Sequence, residues 1–194
     1  MNVARILYPV KVLGPGNRIG IWLCGCHRAC KGCSNPELWY TQPQYEIPVE
    51  RVVELIRTIS EKHPVDGFTI SGGEPFEQSS DLANLIDRIQ SISADILVYT
   101  GYDLAELRAR KDRYIDMILQ HVAVIIDGPY IEALNESSPL KGSKNQSIHI
   151  LQKQYVEAYT HYLNGCNNQI QNFSTTDGIV SVGIHHRGFT RPNS

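Results

Sequence analysis

Short apolar runs alternate with amphipathic stretches along most of this chain, and that alternation restricts the possible fold more than any single residue does. Residues Ile19–Cys24 (IGIWLC), Gly67–Ile70 (GFTI), Asp95–Thr100 (DILVYT) and His121–Ile126 (HVAVII) each read as a short strand. Between the first two, Pro48 opens a helical pattern in which Val49, Val52, Val53, Ile56 and Ile59 share one face, and Pro64 ends it. A second helix is predicted over Ser79–Ile92, with Leu82, Leu85, Ile86 and Ile89 facing inward. Asp103 is placed to N-cap a third. Strands alternating with helices in this way predict an α/β domain with a mostly parallel sheet.

Beyond Asp127 the pattern weakens. Residues 128–147 read as a loop rich in Pro, Gly, Ser and Asn, followed by one helix (Val156–Leu163) and two strand-like pieces, Ile170–Phe173 and Ile179–Ile184. The residues with chemical potential fall just after the strands: the cysteines, Gly72-Gly73-Glu74-Pro75, Thr100-Gly101 and Asp127-Gly128. In parallel α/β sheets and barrels that edge is where sites are built.

Cys26, Cys30 and Cys33 carry the sharpest signal. A [4Fe–4S] cluster is normally held by four thiolates, and a structural zinc also takes four ligands, so three cysteines leave one metal corner open. The plainer alternative is a zinc knuckle with Cys24 as the fourth ligand. Against it, Cys24 ends an apolar run, where a thiol behaves as a small hydrophobe. Four of the five cysteines cluster within ten positions, which suits metal binding better than a disulfide framework. Cys166 reads as a bystander.

The turn at Gly72-Gly73-Glu74-Pro75 combines bare backbone, which allows close approach of a ligand, with a carboxylate suited to an ammonium group. In isolation such a turn is a common strand-to-helix connection. Gly14-Pro15-Gly16-Asn17-Arg18 reads as a turn, His149 and the His185-His186 pair as ordinary histidines, and Glu106–Arg113 as a solvated helical face. A net charge of −2 gives no electrostatic footprint for nucleic acid or an anionic membrane. No apolar run approaches a membrane span and the start of the chain lacks a signal-peptide layout, so a cytoplasmic location is expected.

Taken together, the C-x3-C-x2-C loop and its context resemble the radical S-adenosylmethionine (radical SAM) superfamily. Within it the chain is most similar to activating enzymes of anaerobic ribonucleoside-triphosphate reductase. The stretches that carry the likeness are 14–39, ISGGEP (70–75), VYTGYDLAEL (98–107), IIDGPYIEAL (125–134) and KGSKNQSIHIL (141–151). The resemblance implies a partial, open (β/α) barrel over residues 1–151, with a cluster loop at 25–36 and residues 152–194 as an extension completing or decorating the same domain. It implies that Cys26, Cys30 and Cys33 hold one [4Fe–4S] cluster, with SAM on the fourth iron. Gly72, Gly73, Glu74 and Pro75 would form the methionyl turn, and Thr100, Gly101 and Asp127 would line the same pocket. Ser34 stands where relatives carry His or Tyr.

No catalytic residue is implied beyond the cluster and SAM. The expected partners are a glycyl-radical enzyme as protein substrate and a flavodoxin- or ferredoxin-like electron donor, with no nucleic acid and no membrane. Two other readings stay open: a radical SAM enzyme acting on a small molecule or peptide, such as a deazapurine-forming type, and a non-catalytic Fe–S or zinc binding module.

Overall fold

The apolar runs become strands because both of their faces are covered. The structure is a computed structural model that describes residues 1–136, 138–165, 169–176 and 178–185. Strands β1 (Val3–Val10), β2 (Arg18–Leu23), β3 (Gly67–Gly72), β4 (Ile96–Tyr99), β5 (Val124–Asp127) and β6 (Ser147–Ile150) form one six-stranded sheet in that order. The four inner strands run parallel, while β1 and β6 pair antiparallel at the two edges. The expected mostly parallel α/β sheet is present. A separate hairpin pairs β7 (Ile170–Thr175) with β8 (Gly178–Gly183).

Side chains alternate across the sheet with the period of two that strands impose. Ile19, Ile21 and Leu23 of β2, Phe68 and Ile70 of β3, and Ile96 and Val98 of β4 share one core with helices α1 (Val49–Lys62), α2 (Ser79–Ile89), α3 (Leu104–Ala109) and α4 (Arg113–His121). The opposite face is covered by the later part of the chain. Val182 of the hairpin packs with Trp22 and Cys24, and Tyr159 of helix α5 (Val156–Gly165) packs with Leu97, Val124 and Ile126.

Three departures from the sequence reading have local causes. His121, expected to open a strand, is the last residue of α4. That helix is distinct from α3 because Lys111 takes a left-handed conformation (φ 51°) and Asp112 then accepts from the N–H groups of Tyr114 and Ile115. The loop expected through 147 gives way to β6, and β1 was not predicted at all. Both are edge strands with mostly half-buried side chains, and β1 carries Pro9, which has no N–H to donate and is tolerated at an edge.

Arg18, at the start of β2, is fully buried and organises the sheet from beneath. Its guanidinium donates to both carboxylate oxygens of Asp95 (2.7 and 3.2 Å), to the Phe68 carbonyl and to the Thr69 hydroxyl. The Tyr159 hydroxyl donates to the same Asp95 (2.7 Å), which ties α5 to the sheet. Among the described residues, no helix is long and apolar enough to cross a membrane.

Candidate metal centre and its cavity

After β2 the chain passes through Cys24, fully buried against Trp22 and Leu38, and turns at Gly25, whose φ of +100° favours glycine. Backbone bonds from Gly25 and Cys26 to the carbonyls of Leu38 (2.9 Å) and Trp39 (2.8 Å) close the base of a loop. Within it, left-handed Ala29 (φ 42°) and Gly32 (φ 73°) turn the chain, and the Cys33 N–H donates to the Cys30 carbonyl (3.1 Å). The result brings Cys26, Cys30 and Cys33 to the wall of one cavity, each half-buried. Cys24 stays outside that wall, and Cys166 and His186 lie outside the described residues.

The turn after β3 is stitched to this loop. The Gly73 N–H donates to the Leu23 carbonyl and the Glu74 N–H to the Gly25 carbonyl, both at 2.7 Å. A Cβ at Gly72 would lie 2.3 Å from the Leu23 oxygen, and one at Gly73 would lie 2.3 Å from the Gly25 oxygen. The two glycines therefore let one βα loop press against the next, and the bare backbone that remains lines the cavity. That contact between loops was not anticipated from sequence.

Glu74 is 1% exposed. Its Oε1 accepts from the Phe76 N–H (3.1 Å) and the Thr100 hydroxyl (2.8 Å), and its Oε2 accepts from the Gly101 N–H (2.8 Å). Burial raises its pKa above the ordinary carboxylate value, and the three hydrogen bonds oppose that rise. The carboxylate thus joins the turn to the end of β4, with Oε2 taking a single hydrogen bond from the protein among the described residues. Thr100, Gly101 and Ser34 line the cavity. Asp127 and Pro75 do not. Asp127 accepts from the Leu104 N–H at the start of α3 (2.8 Å) with His149 Nε2 3.0 Å from the same oxygen, and Gly128 takes the place on the cavity wall. Asp103, the expected cap, forms no side-chain bond there, so Asp127 supplies that acceptor from a neighbouring strand.

Among the described residues, no three His, Cys, Asp or Glu side chains converge on the coordination sphere of a single ion. A [4Fe–4S] cube asks for a different arrangement, because each thiolate ligates a separate iron. Three soft thiol donors on one wall, with the fourth nearby thiol in the core, suit such a cube and leave one of its irons without a protein ligand. Burial raises the pKa of Cys26, opposed by hydrogen bonds from the backbone N–H groups of Arg28 and Ala29.

Comparison with known proteins places the chain among iron–sulfur proteins. The family described as a 4Fe–4S single cluster domain matches residues 12–149. The anaerobic ribonucleoside-triphosphate reductase-activating protein of Escherichia coli (strain K12) is 32% identical over 153 residues, covering 74% of this chain and 96% of the relative. Proteins of the same name from Enterobacteria phage T4 (31% identical, 76% and 93% covered) and Vibrio cholerae (32%, 73% and 94%) align similarly. The chain belongs to this activating-protein family.

In this member of the activating-protein family the cavity has walls that sequence reasoning missed. Arg28, Trp39 and Tyr99 contribute to it, as do Ser181–His185 from β8 and the residues after it. Among the described residues, the Tyr99 hydroxyl and the Trp39 indole N–H are buried without a hydrogen-bond partner, and burial raises the Tyr99 pKa well above the normal phenol range. Trp39 and Tyr99 lie inside the stretches that carried the family likeness, so a signal existed for them. For the hairpin there was none, since only the folded chain brings its residues beside the cysteines.

Proposed function

We propose that this chain is a radical SAM activase that installs a glycyl radical on an anaerobic ribonucleoside-triphosphate reductase. The observation that carries the reading is a wall shared by three thiols and the glycine turn, with the nearest other thiol, Cys24, sealed in the core. Support comes also from relatives named for activating that reductase, which align across nearly their whole length.

Cys26, Cys30 and Cys33 would hold the cluster, and the backbone of Gly72 and Gly73 would receive the ammonium end of SAM. Thr100 and Gly101 hold Glu74 and so fix the turn. When bound, the cluster supplies one electron to the SAM sulfonium, which yields methionine and a 5′-deoxyadenosyl radical able to take a hydrogen atom from a glycine of the partner. The role of the protein chain is to position both groups and to keep water from them, and the hairpin adds a wall to that enclosure. A flavodoxin- or ferredoxin-like protein delivers the electron, and the reaction takes place in the cytoplasm. The open sheet is read as a radical SAM partial barrel, with residues 1–151 as its core and 152–194 as an extension of the same domain.

Oxygen-free reconstitution tests this. The loaded chain is expected to hold four irons, to release 5′-deoxyadenosine only when dithionite and SAM are both present, and to generate a glycyl-radical EPR signal when the reductase is added. Tight zinc with no nucleoside release would end the proposal. Deuterium entering the nucleoside from a small molecule or peptide instead of the reductase would replace the partner and keep the chemistry.

A further inference from the structure

Arg28 sits between two of the three cysteines, yet the structure gives it a task separate from theirs. Its guanidinium lies over the Tyr102 ring, 4.8 Å from the centroid, and its stem packs on Gly101, where an added Cβ would come within 2.5 Å of Cδ. Among the described residues, none of its five N–H donors meets a protein acceptor, and no carboxylate lies within ion-pair distance. The neighbouring anion, Glu74, feels the charge of Arg28 but takes its hydrogen bonds from Phe76, Thr100 and Gly101, so the guanidinium fork itself stays open. The other arginine on the cavity wall, Arg5, is committed to Glu37 (2.5 Å).

Arg28 is therefore a half-buried cation on the cavity wall, steadied by an aromatic ring and left with a free hydrogen-bonding fork. Tyr102 is itself held: its hydroxyl donates to Glu77 (3.3 Å), and Arg110 stacks on its ring at 3.8 Å. A planar fork presented in this way matches a carboxylate. Of the groups on SAM, the sulfonium and ammonium are cationic and the α-carboxylate alone is anionic at neutral pH. We infer that Arg28 receives the carboxylate of the amino-acid end of the nucleoside ligand, fixing its orientation against the thiol-bearing loop. This rests on the SAM reading above and adds to it the residue that recognises the ligand's one negative charge.

The test compares SAM with its decarboxylated analogue, S-adenosyl-3-(methylthio)propylamine, by equilibrium dialysis against the oxygen-free, cluster-loaded chain. Arg28→Met should weaken SAM binding by about 10- to 100-fold while leaving the analogue's affinity unchanged. Arg28→Lys, which keeps the charge and loses the fork, should recover part of the loss. Iron content and the visible absorption of each variant report whether the loop is still loaded, and Arg28→Lys carries the comparison if Arg28→Met does not load. Equal weakening of both ligands would assign Arg28 to packing on Tyr102 and overturn the inference, as would unchanged SAM affinity in Arg28→Met. A parent chain that binds neither ligand fails the SAM reading itself, whereas a parent that binds SAM while the variants show no discrimination fails only the role of Arg28.

Discussion

The Thr100 hydroxyl donates to Glu74 Oε1 across 2.8 Å, so the end of β4 grips the turn after β3 through a carboxylate that is almost wholly buried. Both residues were visible in sequence as neighbours of a ligand. Their first partners are each other.

Replacing Thr100 with Val keeps the shape and removes that donor. Glu74 Oε1 then retains only the Phe76 N–H, and a buried anion short of one hydrogen bond costs about 1–3 kcal/mol. Urea unfolding at neutral pH should show an unfolding free energy lower by that amount, read as a lower midpoint at unchanged slope. An unshifted midpoint would mean that water replaces the hydroxyl.

Glu74 also sets a pH dependence whose sign follows from its environment. Burial raises its folded-state pKa above the ordinary 4.5, so the unfolded chain gives up this proton first as pH rises. Its contribution to stability is undiminished below 4.5 and is lost progressively as pH climbs towards the raised folded value. Urea midpoints of the parent and Glu74→Gln across this window should converge at acid pH and separate as pH rises. Parallel curves would show that the carboxyl is not shifted in the folded chain.

Cys24 and Cys30 should respond oppositely to alanine. Cys24 is packed among Trp22, Leu38 and Val182, so its truncation should cost about 1–2 kcal/mol of stability and leave the iron content intact. Cys30→Ala should abolish cluster assembly. Iron analysis and visible absorption after oxygen-free reconstitution decide the matter, and loss of iron in Cys24→Ala would move that cysteine into the ligand set.

Gly73→Ala drives a methyl to 2.3 Å from the Gly25 carbonyl oxygen, forcing the cysteine loop and the glycine turn apart. Such overpacking costs about 1–3 kcal/mol. It should lower both the unfolding midpoint and the yield of loaded cluster, and a variant normal in both would refute the proposed dependence of one loop on the other.

Tyr159→Phe removes the donor that ties α5 to Asp95 while leaving the Arg18–Asp95 pair in place. A loss of about 1–2 kcal/mol is expected. Hydrogen exchange should show faster opening of α5 than of the central strands, and uniform acceleration across the sheet would contradict that local assignment.

The central strands were legible because each is apolar on both faces and bounded by helix or turn signals, as Ile19–Cys24 and Gly67–Ile70 show. The edges were not. Val3–Val10 is half-buried and interrupted by Pro9, and Ser147–Ile150 follows a stretch rich in Gly, Ser and Asn, so neither displays the pattern of an inner strand. At the site, the cysteine spacing marked three of the cavity residues directly. Asp127 shared the expected edge of the sheet, but its carboxylate is occupied by the first turn of α3, a preference that no spacing reveals. Arg28 was hidden for the opposite reason: a charged residue in a loop reads as solvated until the fold sets it over Tyr102.

One wall of the cavity is borrowed from Ser181–His185, far along the chain from the cysteine loop it faces. During synthesis, the thiols therefore leave the ribosome well before their enclosure can be finished.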